Sequence, residues 1–283
     1  MAEQTSIEWC DHTFNPWTGC TKVSPGCRNC YAETLRARFG HGNEWGPNGI
    51  RTRTSESYWR QPLKWDRAAA EAGVRRRVFC ASLADVFEDR PELDEWRSDL
   101  WELIRATPNL DWLLLTKRPE NFGRMASGLL VCGRCHWRHI DLVDDEHPWC
   151  GWCENEVEAV PSSNVWFGTS VENQGSVGRL DYLDVDVNTT FLSCEPLLGP
   201  LDFGTYGLDG IDWVIVGGES GPNARPMHPE WVRSIRDQCV AAGVPFLVKQ
   251  WGEYDENGVK VGKKAAGRML DGRVWDEYPR GER

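Results

Sequence analysis

Short apolar runs recur along the chain, and most of them turn polar at their carboxyl end. Runs of this length that are rich in β-branched and aromatic residues are typical of strands buried on both faces, as in parallel sheets. The pattern therefore predicts a parallel sheet built from these runs. They occupy residues 5–9, 77–82, 111–117, 164–172, 189–195, 212–220 and 245–250.

Helical segments lie between the runs. Residues 91–108 place apolar side chains on one helical face, with Pro91 in the first turn. Residues 228–243 do the same, with Pro229 at the start and Gly243 at the expected end. Strands that alternate with helices in this way predict an α/β chain, either a βα-repeat barrel or a doubly wound sheet.

The polar ends of five runs favour a partial or complete βα-repeat (TIM-like) barrel. In such a barrel the carboxyl ends of the strands share one face, and that face carries the active site. A strand that simply ends in water gives the same pattern, but its repetition across five runs predicts a functional mouth. The five ends are Thr116-Lys117, Thr169-Ser170 with Glu172, Ser193-Cys194-Glu195, Gly217-Gly218-Glu219-Ser220 and Lys249-Gln250.

Three cysteines lie close together in "WTGCTKVSPGCRNCYAE" (residues 17–33), namely Cys20, Cys27 and Cys30. They fall in the loop after the first predicted strand, and Cys30 opens a predicted helix. The N-terminus shows no signal peptide, and no run approaches the roughly 20 apolar residues of a membrane helix, so we expect a cytoplasmic protein without membrane contact. Thiols stay reduced there, and grouped cysteines bind metal more often than they form disulfides.

Three interpretations of this cysteine run are open. A [4Fe–4S] cluster held by three cysteines keeps one iron free to bind a small molecule. Zinc needs a fourth ligand, for which Cys10 and His12 are the candidates. Redox-active or structural thiols are the third interpretation.

A second cysteine group, in "CGRCHWRHIDLVDDEHPWCGWC", has the spacing CxxC–x14–CxxC. Its members Cys132, Cys135, Cys150 and Cys153 predict a four-cysteine structural zinc site, with a redox pair or an iron site as alternatives. We therefore expect a small zinc ribbon inserted in a βα connection. The predicted domains are the first part of the barrel with the cluster loop (1–124), the zinc ribbon (125–160), the remainder of the barrel (161–253) and a C-terminal extension (254–283).

The net charge of −11 argues against non-specific binding to the phosphate backbone of nucleic acids. Basic residues nevertheless gather locally, and they form either a solvated face or a patch for an anionic substrate. They are Arg51, Arg53, Arg60, Lys64, Arg67, Arg75, Arg76 and Arg77.

Six segments of the chain carry a family resemblance. They are "NPWTGCTKVSPGCRNCYAE", "LLLTKRPEN", "VWFGTSVENQ", "FLSCEPLLGPL", "IDWVIVGGESGPNARPMHPEWVRSIRDQC" and "PFLVKQWGE". Together they resemble a phage-associated family of uncharacterised three-cysteine proteins, related to the radical S-adenosylmethionine superfamily and distantly to spore photoproduct lyase. The chain departs from the usual radical-enzyme pattern in its longer first cysteine gap and in Asn29, which replaces an aromatic residue. Its Gly-Gly-Glu stretch also follows a late strand instead of the second.

This resemblance implies an iron–sulfur enzyme of the radical S-adenosylmethionine type. Cys20, Cys27 and Cys30 would hold a [4Fe–4S] cluster, S-adenosylmethionine would bind its open iron, and an electron donor would reduce it. The resulting 5′-deoxyadenosyl radical would take hydrogen from an unknown substrate, for which a nucleotide or a nucleic acid is the first hypothesis.

The resemblance also implies roles for residues at the strand ends. Lys117 and Lys249 would hold a carboxylate or a phosphate, and Glu195 would hold an amino group or ribose hydroxyls. Cys194 would donate hydrogen to a product radical, unless it is an inert buried thiol. These four form the candidate catalytic set. The candidates for cofactor contact are Ser170, Glu172, Gly217, Gly218 and Glu219, although the two glycines would suit a backbone nest for an anion as well.

Two other classes of protein are compatible with the sequence. The first is a non-catalytic iron–sulfur or zinc protein that binds nucleic acid, with both cysteine groups structural. The second is a different enzyme on a βα barrel, such as a hydrolase, but the sequence contains neither a nucleophile elbow nor an HExxH motif.

Overall fold

The structure, a computed structural model, describes residues 5, 7–132, 140–142, 148–150, 155–156, 159–161, 163–185 and 187–279. Between residues 130 and 161 it describes the course of the backbone alone. The strands are β1 (His12–Thr13), β2 (Trp17–Thr18), β3 (Thr52–Arg53), β4 (Arg76–Cys80), β5 (Leu110–Thr116), β6 (Leu130–Cys132), β7 (Ile140–Leu142), β8 (Pro148–Cys150), β9 (Asn155–Glu156), β10 (Ala159–Pro161), β11 (Val165–Ser170), β12 (Thr189–Cys194), β13 (Trp213–Gly217), β14 (Phe246–Gln250), β15 (Met269–Leu270) and β16 (Arg273–Val274).

The α-helices are α1 (Tyr31–Arg38), α2 (Glu56–Trp59), α3 (Gln61–Ala72), α4 (Asp94–Arg105), α5 (Phe122–Met125), α6 (Pro229–Ala242) and α7 (Lys263–Ala266). Short 3-10 segments lie at Pro25–Cys27, Gly42–Glu44, Pro91–Leu93, Pro119–Asn121, Ser127–Leu129 and Gln174–Tyr182.

Seven strands form one parallel sheet in the order β1-β4-β5-β11-β12-β13-β14, which is also their order along the chain. Every neighbouring pair in this sheet is parallel. The sheet curls into a half-barrel, and within the described residues its first and last strands do not pair with each other. This architecture agrees with the prediction of a partial βα-repeat barrel.

Six of the seven predicted runs are strands of this sheet, but the first run is not. The described residues between 5 and 9 form no strand, and the sheet begins at β1 instead. The reason is that Trp9 packs against the concave face of the sheet and does not pair with a strand. Its buried ring lies 4.7 Å from the ring of Phe79 and 6.3 Å from that of Trp213, both measured between centroids. The first apolar run therefore fills the concave face of the sheet.

Alternate side chains along the strands enter two separate apolar cores. The larger core lies between the sheet and its helices, and α4 and α6 contribute to it. The smaller core lies on the concave face and forms an aromatic floor, made mainly of Trp9, Phe79, Trp166, Phe191 and Trp213. Polar residues at the carboxyl ends of the strands lie beyond this floor.

Both predicted helices are confirmed. Helix α4 follows a 3-10 segment that begins at Pro91. Helix α6 begins at Pro229 and ends before Gly243, whose φ of +71° is the left-handed conformation that glycine adopts freely. Within the described part of the chain, no helix is long and apolar enough to cross a membrane.

The chain between α5 and β11 leaves the parallel sheet. In its described parts it forms antiparallel pairs, β6 with β10, and β7 and β9 on either side of β8. This is the segment in which the sequence predicts a zinc ribbon. Cys135 and Cys153 lie outside the described residues, and so do the side chains of Cys132 and Cys150. The zinc site and the domain boundaries therefore stay predictions.

Candidate functional site

The segment from Gly19 to Cys30, which we call the cysteine loop, joins β2 to α1. It carries Cys20, Cys27 and Cys30 as free, half-buried thiols. The chain enters the loop at Gly19, whose φ is +104° and where a Cβ atom would lie 2.5 Å from the carbonyl oxygen of Glu44. Only glycine fits that position, so the local sequence fixes the direction in which the loop leaves β2.

Glu172, just after β11, holds the middle of the loop. The hydroxyl of Ser24 donates a hydrogen bond of 2.6 Å to Glu172 Oε1. Lys117 Nζ lies 3.5 Å from the same oxygen, and Arg179 donates to Oε2 at 2.9 Å. Burial raises the pKa of Glu172, but the charges of Lys117 and Arg179 and the Ser24 hydrogen bond outweigh burial, so the pKa lies below its usual value.

Glu219, after β13, holds the end of the loop. Asn29 Nδ2 donates to Glu219 Oε2 at 3.1 Å. Arg225 donates three hydrogen bonds to the same carboxylate and one of 3.1 Å to the carbonyl of Pro25. Burial opposes the ionisation of Glu219, but the donors on Arg225 and Asn29 outweigh it and lower the pKa.

These contacts change the role expected for Glu172 and Glu219. The oxygens of both carboxylates already accept hydrogen bonds or ion pairs from side chains of the loop and of neighbouring strand ends. Both carboxylates therefore support the cysteine loop, and their contact with the cofactor stays a prediction. Ser170, another candidate for cofactor contact, is buried at the carboxyl end of β11.

Arg118, after β5, holds the start of the loop. Its Nη1 lies 3.7 Å from Cys20 Sγ, and its Nη2 donates to the carbonyl of Thr21 at 2.6 Å. Nη1 also donates to Asp85 Oδ2 at 2.8 Å. Burial raises the pKa of the Cys20 thiol to about 12, and the nearby guanidinium acts against that increase.

A buried ion pair lies behind the same part of the loop. Arg51 Nε and Nη2 donate to Glu88 at 2.8 and 2.7 Å, and neither side chain is exposed by more than 4%. Glu88 Oε1 also accepts from the Thr21 backbone N–H at 3.0 Å. Burial raises the pKa of Glu88, but the hydrogen bonds from Arg51 and Thr21 outweigh it, so the pKa lies below its usual value.

Lys249 and Glu195 face each other on the concave side, beyond the aromatic floor. Lys249 Nζ donates to Glu195 Oε2 at 2.6 Å and lies 6.0 Å from the ring centre of Trp9. Burial lowers the pKa of Lys249, but the Glu195 carboxylate raises it more. Among the described residues, Glu195 Oε1 and Ser193 Oγ are buried without a hydrogen-bond partner. Strand alternation places Ser193 and Glu195 on the same face of the sheet. Both atoms are therefore available there to form hydrogen bonds with a ligand.

The glycine pair after β13 serves close packing. A Cβ atom at Gly217 would lie 2.7 Å from Glu195 Oε1, so the missing side chain leaves room beside that carboxylate. At Gly218 a Cβ atom would lie 1.9 Å from the carbonyl oxygen of Trp251. The Gly218 N–H already donates to the Gln250 carbonyl at 2.9 Å. Gly218 is therefore a packing residue whose N–H is already used, and an anion-binding nest in the Gly-Gly-Glu-Ser stretch stays a prediction.

Comparison with known proteins identifies a family. The family described as "Protein of unknown function (DUF5131)" matches residues 4–279. The chain belongs to this family. A comparison with curated proteins found no match.

Two solved structures of spore photoproduct lyase are similar to this DUF5131 member. A double mutant with bound AdoMet and dinucleoside spore photoproduct has 13% sequence identity and a TM-score of 0.43, and the match covers 82% of this chain and 63% of that one. A complex with dinucleoside spore photoproduct has 14% identity and a TM-score of 0.41, with 78% and 58% covered. The chain thus spans about six-tenths of these lyases. Likeness of this size establishes neither a shared fold nor a shared activity.

Cys194 of this family member does not lie at the mouth. Its side chain is fully buried in the core between the sheet and the helices, while Ser193 and Glu195 point to the opposite face. Burial raises the pKa of its thiol well above the usual value. This position agrees with the alternative of an inert buried thiol, and the role of hydrogen donor stays a prediction.

The arginines that the sequence groups into a basic patch are largely paired with carboxylates. The charges of these five arginines are balanced, whereas Arg60, Lys64 and Arg67 are exposed, so a patch for an anionic substrate stays a prediction. The pairs are Arg51 with Glu88, Arg53 with Asp99, Arg75 with Asp111, and both Arg76 and Arg77 with Asp11.

Cys10 and His12, the candidates for a fourth zinc ligand, lie outside the cysteine loop. Cys10 is buried in the concave core, and His12 stacks on Trp65 with 4.3 Å between ring centroids. Within the part of the chain that the structure describes, no three His, Cys, Asp or Glu side chains converge as a single metal ion requires. The loop offers three free thiols, which is the number of ligands that a [4Fe–4S] cluster with one open iron takes.

Several residues of the site were missed by sequence reasoning. Ser24 and Asn29 lie inside the cysteine run and contact residues 148 and 190 positions later. No local periodicity reports contacts of that separation. Arg118 directly follows Lys117, which was predicted to lie at a strand end. That position could have identified Arg118 as a candidate site residue. Ser193 likewise occupied a predicted strand end.

Proposed function

We propose that the chain is an iron–sulfur enzyme of the radical S-adenosylmethionine type. The observation that carries this proposal is the position of the cysteine loop. Three free thiols lie on a loop that Ser24–Glu172 and Asn29–Glu219 contacts fasten to the carboxyl ends of a curled parallel sheet. Active sites of βα barrels lie at that face.

Each group of residues has a separate task in this proposal. When bound, a reduced [4Fe–4S] cluster would supply the electron that cleaves S-adenosylmethionine to methionine and a 5′-deoxyadenosyl radical. Cys20, Cys27 and Cys30 would hold it. Lys249 fixes the charged Glu195, whose free oxygen accepts a hydrogen bond from a polar group of the cofactor or substrate. The aromatic floor closes the site from below and excludes water.

The substrate that we propose is a nucleotide or a nucleic acid. This proposal comes from the sequence resemblance, and the paired arginines give it no support. Lys117 and Lys249, the residues expected to hold a phosphate, are both paired with carboxylates as well. A phosphate would therefore have to compete with Glu172 or Glu195 for them.

The test is cleavage of S-adenosylmethionine by the reconstituted full chain. After anaerobic reconstitution and reduction with dithionite, we expect 5′-deoxyadenosine and methionine in equal amounts by mass spectrometry. Glu195→Gln with full iron content should form at least about tenfold less, because a lost charged hydrogen bond is worth about 1.5–3 kcal/mol. Glu230→Gln, on the exposed side of α6, is the matched control.

One result would overturn the proposal. The cluster would be intact and reducible, yet no deoxyadenosine would form and S-adenosylmethionine would leave the EPR signal unchanged. A non-catalytic iron–sulfur protein that binds nucleic acid would then explain the chain better.

Zinc binding by the insertion is a separate part of the proposal. Its basis is the spacing of Cys132, Cys135, Cys150 and Cys153 alone. A module of this size depends on its metal for folding, so zinc would stabilise the segment between α5 and β11 and leave the barrel chemistry unchanged.

A further inference from the structure

Arg118 is a buried cation that reaches a cysteine sulfur. Its Nη1 lies 3.7 Å from Cys20 Sγ, while Nη2 donates to the Thr21 carbonyl at 2.6 Å. The residue is only 7% exposed. Because a guanidinium does not lose its proton in proteins, a full positive charge is fixed beside this thiol.

Asp85 holds this guanidinium from the other side. Its Oδ2 accepts from Arg118 Nη1 at 2.8 Å and from the Lys117 backbone N–H at 3.1 Å. Its Oδ1 accepts from Thr116 Oγ1 at 2.7 Å, and Thr116 Oγ1 in turn accepts from the Arg118 N–H at 2.9 Å. Arg118 is thus fixed at both ends of its side chain, and it cannot turn away from Cys20 without breaking several hydrogen bonds.

We propose that Arg118 is a positioning residue that orients Cys20 and raises the reduction potential of the cluster held by the cysteine loop. This inference rests on the proposed function. Reduction adds one electron from a low-potential donor, with no bond formed or broken, so the cluster gains one negative charge. A fixed cation within hydrogen-bond reach of a ligand sulfur stabilises the reduced form more than the oxidised form.

A purely structural role predicts something different. Contacts of Arg118 with Thr21 and Asp85 would stabilise the loop whether or not a cluster is present, and removing them would lower the free energy of unfolding. They would leave the potential of an intact cluster unchanged. The potential therefore separates the two roles.

The experiment is an EPR-monitored redox titration of the reconstituted full chain with dithionite. In Arg118→Gln we expect the reduction equilibrium to shift at least about tenfold against the reduced form, which is about 59 mV more negative for a one-electron couple. Arg118→Lys keeps the charge but loses the planar fork, so its shift should be smaller and of the same sign. Arg124→Gln removes an exposed charge paired with Asp89 and should leave the midpoint unchanged.

The outcomes separate this inference from the proposed function. Equal midpoints in wild type and Arg118→Gln, at equal iron content, would overturn the inference. If Arg118→Gln loses its cluster, an unchanged midpoint in Arg118→Lys would overturn it instead. A shifted midpoint in a chain that neither cleaves S-adenosylmethionine nor changes its EPR signal on adding it would support the role of Arg118 and refute the proposed function. A wild-type chain that binds no iron would overturn both.

Discussion

Asn29 Nδ2 lies 3.1 Å from Glu219 Oε2, and this hydrogen bond joins the cysteine loop to a strand end 190 residues further along the chain. Glu172 makes the equivalent contact to Ser24 from two strands away in the sheet. The loop is therefore attached to the sheet at several separate strand ends. The attachments after β11 and β13 each use a buried carboxylate, which makes loop docking sensitive to single substitutions and to acid.

Glu219→Gln should loosen the end of the cysteine loop. The carboxylate accepts from Asn29 and three times from Arg225, and hydrogen bonds to charged groups are worth about 1.5–3 kcal/mol. We expect amide hydrogen exchange in residues 19–30 to accelerate at least about tenfold, with exchange in β12 and β13 unchanged. Glu230→Gln is the control, and equal loop exchange in both variants would contradict the assignment.

Arg51→Met should destabilise the whole fold. It leaves Glu88 buried without its bidentate partner, and breaking a buried ion pair in this way costs about 3–5 kcal/mol. Denaturant unfolding measures the loss. Arg124→Met removes an exposed pair with Asp89, which should cost at most about 1 kcal/mol. A loss no larger in Arg51→Met than in the control would refute the structural role of this pair.

Acid should destabilise the protein through three carboxylates, those of Glu88, Glu172 and Glu219. The pKa of each lies below its usual value in the folded chain. Their stabilisation is therefore complete above the unfolded pKa of about 4.3 and is lost as the pH falls through the lower folded values. We expect the free energy of unfolding to fall below about pH 4.3, as measured in denaturant at a series of pH values.

Glu172→Gln isolates one contribution to this pH dependence. Its curve should be flatter than that of the wild type below about pH 4.3, since the amide does not titrate. Asp111 acts in the opposite direction because burial raises its pKa, so the comparison of the two curves is more informative than either alone. Parallel curves would show that Glu172 is not stabilised by Lys117 and Arg179 as the geometry indicates.

The strands and main helices could be predicted because their signals are local. β11, β12 and β13 are buried at every position, and such strands appear as continuous apolar runs in the sequence. The run that ends in Trp9 carries the same signal, yet it fills the concave face, because an apolar run does not reveal what covers it. Only contacts between residues distant in sequence show whether such a run is a strand of the sheet or a segment that packs on its face.

The site was predictable in its location and not in its roles. Polar strand ends and the cysteine run do lie on one face, as the barrel pattern implied. Which atoms Glu172 and Glu219 contact depends on a loop that packs across the sheet, and strand periodicity carries no information about it. Cys194 was predicted at the mouth because it lies at a strand end, but its side chain lies in the larger core. One step along a strand moves a side chain to the opposite face of the sheet.

The metal content of the full chain tests the central claim most directly. The claim is that Cys20, Cys27 and Cys30 hold one cluster at the mouth of the half-barrel. After anaerobic reconstitution we expect about four iron and four sulfide per chain in wild type, and none in Cys27→Ala. Cys239→Ala, which removes a buried thiol of α6 far from the loop in sequence, should keep the full content if it folds. A folded Cys27→Ala protein that retains all of its iron and sulfide would contradict the account.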